Sequence, residues 1–159
     1  MIVAVHTNGE TENFPSVQEA IESVDSVLHA LDGGLKASAT WLAIDEGTEA
    51  PKSFLEVTAD AEKNIAGAVW FAGDEEAQRI ENEEGSDRGN YFWVSDSGRG
   101  PETDVTLLSD PHAPSYFDPR GILSIPEVSK AVEEFCLSGG NLPSSIRWVA
   151  GNQNGTRID

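Results

Sequence analysis

Cysteine occurs once, at Cys136, which excludes an intrachain disulfide and any metal site built from several thiolates. Histidine is nearly as scarce. His6, His29 and His112 stand apart, with no His-x-Glu, His-Glu-x-x-His or Cys-x-x-Cys beside them. The ligand spacing of zinc deaminases, zincins and zinc fingers is therefore missing, and neither metal nor cofactor is expected. Basic residues are few as well, 10 Lys and Arg against 28 Asp and Glu, for a net charge of −18. A field of that sign repels phosphate backbones and anionic lipid, so nucleic acid and membrane are poor partners and a basic protein surface is a good one.

Long apolar runs are absent too. No stretch reaches the roughly 18 residues of a spanning helix, and Met1-Ile-Val-Ala-Val-His-Thr7 has no basic leader, so a cytoplasmic protein is expected. Asn154-Gly155-Thr156 matches the glycosylation triplet only by chance on this reading. The chain has no Gly-x-Ser-x-Gly elbow and no calcium-loop alternation of acids; Gly98-Arg-Gly100-Pro101 has two glycines of a phosphate cradle without a third and reads as a hairpin turn. No catalytic residue is expected. Acids at strand ends or in loops, such as Asp45, Glu46, Asp96 and Asp118, keep open an acid-pair hydrolase. A non-enzymatic regulatory domain with a basic partner is a further alternative.

What the chain does contain is enough apolar surface for one core. Its 159 residues, 38% apolar, with four tryptophans, predict one folded domain over residues 1–150 and a polar tail over 151–159. Ser16-Val-Gln-Glu19 has the grammar of a capping box, followed by Val17, Ala20, Ile21, Val24, Val27, Leu28 and Leu31 on one helical stripe up to Gly33-Gly34. The grammar returns at Ser124-Ile-Pro-Glu127, with Val128, Ala131, Val132 and Phe135 on a stripe that ends at Gly139-Gly140. Strands are expected near residues 2–5 and 13–14, at Ala39–Ile44, Phe54–Thr58, Ile65–Phe71, Tyr91–Val94, Val105–Leu108 and Ile146–Val149. The fold class is α+β: an antiparallel meander of about five or six strands with two main amphipathic helices packed on it. Trp41, Trp70, Trp93 and Trp148 all fall inside strands, where the core is their default place.

The acidity is lopsided, with 19 acids and 4 bases before residue 88 and 9 acids and 6 bases after it. Its densest block holds Asp74, Glu75, Glu76, Glu81, Glu83, Glu84 and Asp87 against Arg79. Lying between two apolar strands, it is expected in a long exposed loop and, by charge density alone, as the surface that docks a cationic partner.

The C-terminal third carries a distinctive order: Ile125-Pro126-Glu127-Val128, Ala131-Val132-Glu133-Glu134-Phe135, Ser138-Gly139-Gly140, Leu142-Pro143 and Ile146-Arg147-Trp148. It resembles the Imm1 immunity proteins of bacterial polymorphic toxin systems. Tyr91-Phe92-Trp93-Val94, the residues around Thr106-Leu107-Leu108 and the N-terminal strand-helix-strand are similar to that family as well, whereas residues 72–90 and the tail after Ala150 have no counterpart in it. The resemblance implies a non-enzymatic antitoxin that occludes the active site of one cognate toxin, often a nucleic-acid deaminase. Such a toxin would present a basic groove to this surface, and the free protein is expected to be a monomer or a weak oligomer.

Overall fold

The computed structural model describes residues 2–112 and 114–159, with Ile2 described by its backbone alone. The chain opens with a hairpin, β1 (Ile2–Thr7) and β2 (Glu10–Phe14), whose two-residue loop puts Asn8 and Gly9 at φ of 50° and 81°. Two successive positive φ values match the right-handed twist of the strands they join. Helix α1 (Val17–His29) follows, then β3 (Ser38–Ile44), β4 (Ser53–Asp60) and β5 (Ile65–Ala72), a second helix α2 (Asp74–Glu84) and β6 (Phe92–Asp96). A small hairpin of β7 (Leu108–Asp110) and β8 (Ser115–Tyr116) precedes β9 (Leu123–Ser124), α3 (Ile125–Ser138) and β10 (Arg147–Gly151).

The main sheet is antiparallel and eight-stranded, in the order β10-β6-β5-β4-β3-β1-β2, with β9 pairing on β5. This keeps the expected α+β class but exceeds five or six strands. Local signals are weak in both short additions: β2, expected near residues 13–14, extends back over four exposed polar residues, and the unexpected β9 has only two residues. The expected strand at Val105–Leu108 is displaced. Leu107 is buried in a loop, and pairing starts at Leu108, in a hairpin separate from the main sheet. Gly98–Pro101 accordingly lies in irregular chain after β6 and joins no paired strands.

The sheet carries two apolar layers. On one face Trp41, Leu55 and Trp70, neighbours across β3, β4 and β5, lie beneath Ala20, Val24 and Leu28 of α1 and Val128, Val132 and Phe135 of α3. On the other face Val69 and Val94 lie beneath Leu107, Phe117 and Ile122. Trp41 and Trp70 are fully buried, whereas Trp93 and Trp148 are half-buried, with indole N–H groups donating to the Arg88 carbonyl (2.7 Å) and the Pro143 carbonyl (2.6 Å). The chain after Gly151 folds back. Gly151 bridges to Arg157, and a Cβ on Gly155 would meet the Phe117 ring at 2.5 Å.

Both halves of the capping box form at Ser124: the Glu127 amide donates to Ser124 Oγ, and the Ser124 amide donates to the Glu127 carboxylate at 2.8 Å. At Ser16 the bond formed is that from the Glu19 amide to Ser16 Oγ. Glu127 also accepts from Arg99 at 2.8 and 3.2 Å, and this bond, ahead of those from Ser124, holds its carboxyl down to about 2 from the usual 4.5. A depressed carboxyl stabilises the fold fully above its unfolded pKa and loses that contribution as acid protonates the folded form. Glu127→Gln is therefore expected to flatten the loss of stability between about pH 4.5 and 2. Urea midpoints measured across that range test it; an unchanged acid limb would mean that the Arg99 pair contributes nothing.

Candidate functional site

The acidic block is helical, which corrects the expected exposed loop, although it does connect the paired strands β5 and β6. Gly73 begins α2 in extended geometry, and its amide donates to the Lys52 carbonyl at 2.8 Å. Asp74, Glu75 and Glu76 occupy the first turn, where negative charge complements the helix dipole. Gly85 closes the helix at φ 62°, with its amide donating to the Glu81 carbonyl. Only Ile80 supplies a large buried apolar side chain, inserted into the helix-covered core.

Glu76 departs from its expected role as a partner contact. It is buried at 8% exposure, and Arg79 grips it through Nε at 2.9 Å and Nη2 at 2.5 Å, with Lys52 Nζ at 4.0 Å. Such a carboxylate ties α2 to the residue that leads into β4 and is spoken for. Arg79 reaches on to Glu83 at 2.7 Å, and Arg88 lies 3.7 Å from Glu84. Asp74, Glu75, Glu81, Glu83 and Glu84 are exposed along the helix, and exposed Asp87 begins the 3₁₀ turn that follows. Six of the seven expected residues are therefore exposed, five along α2 and one in the turn after it.

Beside α2 the structure adds what the sequence reading missed. A groove of about 850 Å³ runs between α2 and the β3–β4 turn. Its floor is Phe54, Phe71 and Phe92, side by side on β4, β5 and β6 on the face opposite α1 and α3. Phe54 and Phe71 stack at 4.6 Å and 10°, and Phe92 tilts 57° against Phe71 at 4.9 Å. All three rings are half-buried. Asp45 stands on the turn side, with Asp74 and Glu75 across from it on α2. Among the described residues these three carboxylates have no ion-pair partner, whereas Lys52 and Arg79, also in the wall, both face Glu76.

Of the other acids singled out in sequence, Asp96 and Asp118 face cations. Asp96 has Arg157 at 3.5 Å and Arg147 at 4.0 Å, and Asp118 accepts two bonds from Arg120 at 2.9 and 2.8 Å, which lower its pKa. Glu56, on the floor side of β4, has its pKa raised by burial. Cys136 is fully buried, and burial pushes its thiol up to about 12, far from a reactive thiolate. His6 is bonded to Thr11 Oγ1, and His29 Nδ1 lies 2.8 Å from the Asp25 carbonyl at the end of α1. Among the described residues no group of three or more His, Cys, Asp or Glu could hold a metal ion, and no helix is long and apolar enough to cross a membrane.

Taken chemically, this end of the sheet offers anionic side chains and an aromatic floor, which suit association with a cationic macromolecule. The sequence model of the Imm1 immunity proteins matches residues 5–150, a span that includes α2 and the groove. No curated protein matches the chain.

Proposed function

Because the chain belongs to the Imm1 immunity protein family, we propose that it neutralises one cognate toxin by laying the acidic helix α2 over that toxin's active site. The observation that carries this reading is the solvent-facing set Asp74, Glu75, Glu81, Glu83 and Glu84 on one anchored helix, followed by Asp87. The proposed partner is an enzyme acting on nucleic acid, a deaminase being the class the resemblance implies, whose substrate groove is basic. Carboxylates placed where phosphates would lie occupy such a groove and keep the substrate out. Inhibition of this kind requires no turnover by the inhibitor itself.

Co-expression with a candidate toxin domain, the C-terminal domain of a large secreted protein encoded beside this chain, tests this reading. Growth is expected to be restored, and a stable complex is expected to co-purify. Continued killing with no complex would overturn it.

A further inference from the structure

We infer that the groove between the β3–β4 turn and α2 receives one segment of the toxin that presents an apolar or aromatic side chain flanked by lysine or arginine. This rests on the antitoxin reading and adds the chemistry of the contact.

The floor and the rim make different demands. Phe54, Phe71 and Phe92 leave half-exposed ring surface between two walls, and burying such surface beneath an apolar group is the commonest source of interface energy. Asp45, Asp74 and Glu75 are exposed and, among the described residues, lack an ion-pair partner. A wholly apolar segment would strip water from these carboxylates and return nothing, which is costly. A wholly cationic segment would leave the aromatic floor uncovered. An anionic group would meet four carboxylates, and the two cations present, Lys52 and Arg79, are already turned to Glu76. An apolar anchor between basic neighbours satisfies floor and rim together.

Phe54 is the best position to test, because it packs on Phe71 yet belongs to neither apolar core layer. Binding of a catalytically inactivated form of the toxin domain that this chain neutralises in co-expression would be measured for Phe54→Ala, for Asp45→Lys with Asp74→Lys, and for Glu10→Lys with Glu12→Lys. The last pair makes the same charge change on the exposed edge strand β2. Phe54→Ala is expected to raise the dissociation rate about 10- to 30-fold, the loss typical of an interface anchor. The Asp45/Asp74 pair should weaken binding at least tenfold, and the β2 pair should leave the dissociation rate unchanged.

If the wild-type chain binds and both groove variants match it, the groove assignment fails while the antitoxin reading stands. Failure of the wild-type chain to bind overturns both. Should Phe54→Ala lose its thermal transition, the Asp45/Asp74 pair decides alone, since both side chains are exposed and a lysine in the first turn of α2 costs the fold little. Equal weakening by the Asp45/Asp74 and β2 pairs would reduce the effect to net charge and likewise sink the groove assignment.

Discussion

Lysine at Glu81, Glu83 and Glu84 is expected to slow association with the toxin by roughly one to three orders of magnitude at low salt, with little change in the dissociation rate. The three side chains lie in the last turn and a half of α2 and are exposed. Reversing them adds six positive charges to the net charge of the face that steers encounter. Folding should tolerate this for a specific reason. The last turn of α2 contains no basic residue, and cations there complement the helix dipole, by about 0.3–1 kcal/mol each. Arg79 gives up its bond to Glu83 but keeps both bonds to buried Glu76. The variant therefore separates steering from stability. Stopped-flow association over a salt series is the measurement, and the two proteins should converge as the screening length falls from about 10 Å at 0.1 M to 3 Å at 1 M. Equal rates at low salt would show that α2 is a solvated face and that docking occurs elsewhere.

The second large effect concerns the join between α3 and the sheet. Gly140 → Ala is expected to destabilise the fold by about 2–5 kcal/mol, from backbone strain and overpacking acting together. Gly140 has φ +95°, and a Cβ there would fall on Ser53 Oγ and lie 2.6 Å from the Ala43 Cβ. Its carbonyl accepts from Ser53 Oγ at 2.6 Å and from the Trp70 indole at 3.0 Å, while its amide donates to the Phe135 carbonyl at 2.9 Å. One residue thus ties the end of α3 to both β4 and β5. The melting temperature should fall by roughly 5–20 °C for a chain of this size. Gly47→Ala is the control: it has φ +81° but nothing within 4 Å of the added Cβ, so only the left-handed backbone cost of about 1–2 kcal/mol applies. Equal losses at the two positions would remove the packing argument for Gly140.

How far the fold was legible can be judged from its helices. For α1 and α3 the cap and the stripe lie within about 20 residues of each other, and the structure has both helices with Ser16 and Ser124 at their N-termini; α3 ends at Gly139 as expected, whereas α1 stops at His29, short of Leu31 and Gly33. Helix α2 escaped the same reading because Ile80 is its one large buried apolar residue and its other buried position is Glu76. A carboxylate becomes an inward-facing residue only when Arg79 and Lys52 are there to receive it. Lys52 comes from the chain just before β4, beyond the reach of any helical periodicity. The bracketing glycines Gly73 and Gly85 were the signal available. The fold-back of the last residues was equally hidden: Gly155 is small so that Phe117 can lie against it, with Gly67 of β5 also approaching that ring closely.

Local chemistry in the chain alone settled the antiparallel α+β class, the two capped helices and the strongly negative charge, because each depends on neighbours a few residues away or on composition. Tertiary structure alone decided that Glu76 turns inward, that six other acids of its block stay exposed on a helix and the turn after it, and that Asp45 faces Asp74 and Glu75 across a floor of three phenylalanines. Alternation along a strand says that Phe54 and Leu55 point to opposite faces. Which face stays open depends on where the covering segments cross, and that follows from strand order and register across the whole sheet.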